Sequence, residues 1–227
     1  MQDDAPYTYA GANGKSVNNY DRRYRGFTTL REAITDSINI VTVKTLAQAG
    51  VSLGWQYVQE YGFTTVDSRD MNEALALGGI TQGVSNLELT AAYAAIANQG
   101  TYIKPKFYTK ILDHDGNVLI DNTTPESHTV IKDTTAWLLT SAMEDVMTSG
   151  TGTSAYFGSS MAQAGKSGTT TSSRDALFAG YTPYYTCAVW GGYDDNAMQK
   201  GSDTNYPKRI WKACLLYTSD AADDMQC

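Results

Sequence analysis

Residues 162–195 constrain this chain more than any other stretch. "AQAGKSGTT", "DALFAGYTP" and "YTCAVWGGYDD" follow one another as three short runs of apolar and small residues separated by turn residues. Runs of that length, punctuated in that way, read as consecutive antiparallel strands. Immediately upstream, "DTTAWLLTSAMEDVMTSG" (Asp133 to Gly150) has the apolar spacing of a long amphipathic helix. A helix and a strand meander each have one apolar side to bury. They bury both by packing face on face, which predicts a layered α+β domain.

Upstream of residue 100 the pattern is helical. Thr29, with Glu32 three residues on, is a capping box opening a helix in "TTLREAITDS". Ser37 and Asn39 are poor helix-interior residues and predict a break, after which "IVTVKTLAQAG" resumes and Gly50 stops it. A third helix is expected in "LGWQYVQEYG", capped by Ser52 and stopped by Gly62. Ser85 and Glu88 form a second capping box, opening "SNLELTAAYAAIANQG", where Leu87, Ala91, Ala94 and Ala95 make a narrow face for close packing. "TYIKPKFYTKILDHDGNVLI" alternates and turns at Asp115-Gly116, a hairpin signal. The first 26 residues are polar and rich in Tyr, Asn and Gly, and read as loop. The expected fold class is α+β, an antiparallel sheet flanked by helices with a mostly helical lobe.

The 227 residues suit one large domain or part of a bigger one, and a net charge of −7 without a basic block argues against nucleic acid as a partner. No apolar run approaches the roughly 18 residues of a membrane span. The start, "MQDDAPYTYAGANG", has no apolar export core. The end stands apart. "CLLYTSDAADDMQC" (Cys214 to Cys227) resembles the translation of a transposon sequencing adapter, so residues 214–227 are set aside as a non-native tail. Three of the 24 acids and none of the 17 bases lie in it, leaving −4 for residues 1–213. Two of the three cysteines also leave. Cys187 alone cannot form an intramolecular disulfide, and His114 and His128 are not at metal-ligand spacing. No metal and no cofactor is expected.

"AGKSGTTT" (Ala164 to Thr171) can be read two ways. As Gly165-Lys166-Ser167 it is the end of a phosphate-binding loop. That loop needs a glycine at position 160, where Ser160 stands, and it needs a helix after the motif, where "GTTTSSRD" is a poor helix start. As Lys166-Ser167-Gly168-Thr169 it is a Lys-Ser/Thr-Gly element on a strand, and this reading has company. Ser37-Ile38-Asn39 is a Ser-x-Asn element at a helix break. Gly150-Thr151-Gly152-Thr153 follows the long helix and precedes the strand with Lys166.

In this order and spacing the elements resemble the transpeptidase domain of penicillin-binding proteins, most closely the bifunctional class A type. "NYDRRYRGFTTLREAITDSINIVTVK" is similar to the family's segment around Ser-x-Asn, and "ALGGITQGVSNLELTAAYAAIANQGTYIKP" to its next helical stretch. The resemblance implies a penicillin-binding/serine β-lactamase-like fold and a serine acyl-enzyme formed on the D-Ala–D-Ala end of peptidoglycan stem peptides, with β-lactams as mimics. It implies that Ser37 relays a proton to the leaving amine and that Asn39 bonds the substrate backbone. It implies that Lys166 supplies positive charge, and that Ser167 and Thr169 offer hydroxyls to the terminal carboxylate. Gly168 would let the substrate backbone approach, and the Thr169 N–H would serve an oxyanion hole. It places the parent on the extracytoplasmic face of a bacterial cytoplasmic membrane, held by an upstream anchor, with cell-wall synthesis machinery as company.

One element is missing. The family's nucleophile lies in a Ser-x-x-Lys upstream of Ser-x-Asn, and none of the serines here has a lysine three residues on. The chain is therefore expected to be a truncated, partial domain over residues 1–213, inactive as it stands. Two alternatives stay open. One is a D,D-carboxypeptidase or β-lactamase relative using water as acceptor. The other is a non-catalytic β-lactam sensor or degenerate penicillin-binding module. Among the remaining residues, Arg174 and Asp175 are expected to pair on the surface of a turn. Phe178 and Trp190 are expected in the core, and Cys187 as a small apolar residue.

Overall fold

The computed structural model describes residues 1–10, 14–158, 160–199 and 204–224. The N-terminal segment is not all loop. It forms four short strands, β1 (Gln2–Asp4), β2 (Tyr7–Thr8), β3 (Ser16–Val17) and β4 (Gly26–Thr28), paired β1 with β4 and β2 with β3. Strands of two or three residues leave no period to detect, which is why composition read them as loop. Helices α1 (Leu30–Thr35), α2 (Asn39–Ala49) and α3 (Val51–Glu60) follow. The Thr29/Glu32 box caps α1, as expected. Ser52 caps nothing: Gly50 both ends α2 and begins α3, at φ 105. That conformation suits glycine alone, so the turn is made two residues earlier than the serine suggests.

Helix α4 (Asn86–Ala97) opens on the Ser85/Glu88 box. It buries Ala91, Ala92 and Ala95 and leaves Leu87 exposed. Strand β5 (Thr101–Ile103) pairs with β8 (Ser127–Thr129), and β6 (Lys110–Leu112) with β7 (Val118–Asp121) across the Asp115-Gly116 turn. Helix α5 (Asp133–Thr148) then leads to the sheet, β9 (Ala164–Thr169), β10 (Asp175–Tyr181) and β11 (Thr186–Gly192), in the order β11-β10-β9 and antiparallel throughout. This is the meander that residues 162–195 predict.

Alternation along β10 divides the core in two. Tyr181 packs with Ala164 and Met143 of α5 on one face. Phe178 packs with Met147, Ala155, Trp211 and Leu215 on the other. Phe178 meets Trp211 edge-on, with ring centroids 5.2 Å apart, and the Trp211 indole N–H donates to the Cys187 carbonyl at 3.1 Å. Trp211 and Leu215 belong to α6 (Tyr206–Asp224), which continues through part of the segment set aside as a tail. Their i, i+4 spacing puts both on the face that covers Phe178, so residue 215 takes part in the core.

Trp190 is not core. It is 42% exposed, and its indole N–H donates to Asp175 Oδ1 at 2.8 Å. Arg174 and Asp175 do not pair with each other. Arg174 donates to the Asn196 carbonyl, while Asp175 accepts from Thr170 Oγ1 at 2.9 Å and so closes the β9–β10 turn. Trp190 lies opposite Leu177 in the sheet; strand periodicity tells which face a residue takes, not how much of it is covered. Cys187 is half-buried, and burial pushes its thiol up to about 11, which leaves it inert at neutral pH.

Candidate functional site

The break between α1 and α2 is a built feature. The Ile38 N–H donates to the Ala33 carbonyl at 2.9 Å and the Ser37 N–H to the Ile34 carbonyl at 3.3 Å. These are the two bonds of a Schellman ending, which puts Ser37 at the left-handed position; its φ is 57. Glycine normally fills that position. A residue with a Cβ costs roughly 1 kcal/mol more there, so the strain is accepted where the side chain is needed.

That side chain reaches Lys166. The Lys166 Nζ donates to Ser37 Oγ at 2.7 Å and to the Ser167 carbonyl at 3.1 Å. The bond joins the helical lobe to β9 across 129 residues of chain. Lys166 stands opposite Ala179 in the sheet and has no carboxylate partner among the described ion pairs. Burial lowers its amine to about 8, helped by the nearby charge of Lys208. A lysine in that state donates readily and carries a positive field that no side chain of its own neutralises.

A loop and a helix hold the two sides together. The Thr151 N–H donates to the Thr35 carbonyl at 3.2 Å, just before Ser37, and Thr151 Oγ1 accepts from Ser167 Oγ at 3.3 Å. A Cβ on Gly150 would run into the Thr35 backbone, so glycine is what lets this loop lie against α1. On the outer side Arg31 of α1 grips α5, through Asp145 at 2.7 Å and the Ser141 carbonyl at 2.9 Å. Ser37, Lys166, Ser167 and Thr151 are thus brought to one place.

Asn39 begins α2, and its Nδ2 donates to the Asn18 carbonyl at 2.8 Å. Gly168 and Thr169 lie at the far end of β9, opposite Leu177 and Ala176. At Gly168 a Cβ would find only ordinary contacts, 3.7 Å from Leu177 Cβ, so the protein's own packing does not require glycine there. Gly165 differs, because a Cβ would lie 2.7 Å from the Phe178 ring. In the described sheet β9 pairs on one side only, which leaves its other edge open to an extended chain. Among the described residues no three His, Cys, Asp or Glu side chains gather where a metal ion could sit.

Sequence reasoning named Ser37, Asn39, Lys166, Ser167, Gly168 and Thr169. It noted Thr151 only as part of the Gly150–Thr153 run, without a role, and missed Asn18, Asn19 and Arg31. The Gly-Thr-Gly run was the one available signal for Thr151. Hydrogen bonds that span 110 residues, as that of Arg31 does, leave no pattern in a linear reading.

A family model described as the penicillin-binding protein transpeptidase domain matches residues 2–213. The chain is 40% identical over 210 residues to penicillin-binding protein 1F of Bacillus subtilis, covering 89% of this chain and 29% of that protein. It is 35% identical over 193 residues to penicillin-binding protein 1A of Clostridium botulinum, covering 83% and 23%. The chain therefore spans less than a third of the length of these curated relatives. Among solved structures, penicillin-binding protein 1A of Haemophilus influenzae superposes with a TM-score of 0.79 at 24% identity, over 93% of this chain and 38% of that one. The penicillin-binding protein PonA1 of Mycobacterium tuberculosis does so with 0.74 at 25%, over 94% and 61%.

Proposed function

This chain belongs to the penicillin-binding protein transpeptidase family, and from that premise we propose that its parent protein cross-links peptidoglycan through a serine acyl-enzyme. The observation that carries the reading is the 2.7 Å bond from Lys166 to Ser37, made by a partly buried lysine with no carboxylate partner among the described ion pairs.

The proposed roles are those that the family resemblance implies, and the Lys166–Ser37 bond supports them. A serine supplied by an upstream Ser-x-x-Lys attacks the carbonyl of the D-Ala–D-Ala peptide bond. The new Oγ–C bond forms, the C–N bond breaks, and the departing D-alanine amine takes a proton by way of Ser37 Oγ. Lys166 keeps Ser37 oriented and, as a cation, favours the anionic C-terminus of the stem peptide. Ser167 and Thr169 donate hydroxyl bonds to that carboxylate, and Asn39 bonds the peptide backbone through the amide atoms it still has free. Gly168 gives the substrate room, because a glycine leaves the strand face clear and its nearest described neighbour is Leu177, 3.7 Å from where a Cβ would lie. The Thr169 N–H is one donor of an oxyanion hole, and the nucleophile's own N–H is the other. An amine from a second stem peptide then displaces the serine.

The catalytic domain proposed is residues 1–213, with 214–227 non-native in sequence, although Leu215 packs in the core against Phe178. The chain alone is inactive, because it contains no Ser-x-x-Lys. The parent works on the extracytoplasmic face of the bacterial cytoplasmic membrane, anchored by a segment outside this chain; among the described residues no helix is long and apolar enough to cross a membrane. Peptidoglycan stem peptides and β-lactams are its ligands, and cell-wall synthesis proteins its partners.

Covalent labelling by a fluorescent penicillin tests the reading. The chain as given is expected not to label, and a version extended upstream through its source locus is expected to label at one serine. Lys166→Ala in the extended version should lower labelling by roughly 100-fold or more, as loss of a charged hydrogen-bond donor in a closed site does. A folded extended chain that fails to label would instead support a non-catalytic module.

A further inference from the structure

We propose that Asn19 is a positioning residue for the Ser37–Asn39 element, serving as the missing cap of helix α2, and that buried Asp4 sets its orientation. The inference rests on the proposed role of Asn39 at the substrate.

Helix α2 begins without a cap of its own. Ile38 stands at the cap position and offers no side-chain acceptor. The first N–H groups of a helix have no partner within it. The one on Ile40 is enclosed, since Ile40 is fully buried. Asn19, 21 residues upstream, meets it: Asn19 Oδ1 accepts from the Ile40 N–H at 3.2 Å.

An asparagine amide can turn over and present its NH2 instead, which would put donor against donor. Here it is held. Its Nδ2 donates to Asp4 Oδ1 at 2.8 Å, to Asp4 Oδ2 at 3.0 Å and to the Arg23 carbonyl at 2.7 Å. A carboxylate and a carbonyl can only accept, so the nitrogen must face them and the oxygen must face Ile40. Asp4 is itself fully buried, and the Arg25 N–H at 2.9 Å and guanidinium at 3.8 Å support its charge.

The neighbouring residue completes the device, because the Asn18 carbonyl takes the Asn39 Nδ2. One dipeptide thus holds both the main-chain start of α2 and the side chain of Asn39. With one amide proton bound to Asn18, Asn39 keeps its second proton and its oxygen for a ligand. Side chains that bring reacting groups to within a fraction of an ångström can change rates by about 100-fold without touching substrate.

The test uses the upstream-extended chain, with penicillin acylation resolved into its saturation constant and its first-order rate constant. Asn19→Ala is expected to lower the rate constant by about tenfold to 100-fold. On an Asn39→Ala background the same change should cost less, because part of its effect runs through Asn39. Asn19→Asp alone sets a second carboxylate beside Asp4 and should be as slow. Adding Asp4→Asn reverses the donor and acceptor. The new amide at position 4 then donates to the new carboxylate at position 19, which still accepts from the Ile40 N–H; the Arg23 carbonyl loses its donor, so part of the rate, not all, should return. A full loss from Asn19→Ala on the Asn39→Ala background, or a folded double swap as slow as Asn19→Asp, overturns the positioning role. Amide exchange at Ile40 in the chain as given reads the cap without any activity: protection should fall in Asn19→Ala and return in the double swap. Unchanged protection in Asn19→Ala refutes the cap. An extended chain that never labels removes the positioning role together with the proposed function, and leaves the cap to be judged by exchange.

Discussion

Strand β9 is made of alanine, glycine, lysine, serine and threonine, and its first two residues are buried. The β6–β7 hairpin carries Ile111, Leu112, Val118, Leu119 and Ile120, and every residue of its strands is exposed. Both are antiparallel, and both are marked by alternation and turn residues. They reverse the usual relation between residue type and burial. The difference comes from what lies over them. β9 has α5 on one face and neighbours the Phe178–Trp211 cluster on the other, so small residues are what fit. The hairpin has no described layer over either face, so its apolar side chains stay in water. The lesson is that an apolar residue marks a core only where the fold brings a second surface to it.

The largest test of this contrast is Phe178→Ala. It empties the space between the sheet and α6 and should cost about 3–5 kcal/mol in urea denaturation. Such a loss would be a large fraction of the roughly 5–15 kcal/mol by which a domain is stable. A cost under about 1 kcal/mol would mean that α6 does not pack as described.

A smaller effect is expected at Lys166 and is read through pH. Its amine lies near about 8 when folded, against an ordinary value of 10.5. Below the lower value it is charged in both states, and the cost of burying that charge is fully present. Between the two values the unfolded chain binds more protons, so stability rises with pH; above both the cost is gone. The stability difference between the wild type and Lys166→Met should therefore climb from about pH 8 to about 10.5. A flat difference would show that Lys166 is solvated like a surface lysine.

The smallest effect belongs to the hairpin. Leu119→Ser removes a large apolar side chain that is 64% exposed, and should change stability by no more than about 0.5 kcal/mol. A loss of several times that would show that the hairpin is covered in solution, and the contrast with β9 would fall.

Local chemistry was readable in the sequence wherever neighbours in the chain act on each other. The two Ser/Thr–Glu capping boxes, the glycine stops and the turn at Asp115-Gly116 are of this kind, as is the three-strand run that ends the sheet. The order Ser-x-Asn, Gly-Thr-Gly, Lys-Ser-Gly also pointed to the family that the comparisons then established. What depended on distant partners was not readable. The exposure of Trp190, the separate bonds of Arg174 and Asp175, and the place of Leu215 against Phe178 were all decided by which surfaces meet. The same holds at the site. The sequence named Ser37 and Lys166, but only the tertiary structure set one 2.7 Å from the other and put Ser37 in a left-handed turn. Backbone preferences and caps act over three or four residues, while packing and desolvation act through space, and a linear chain carries the first kind of information openly and the second only once it is folded.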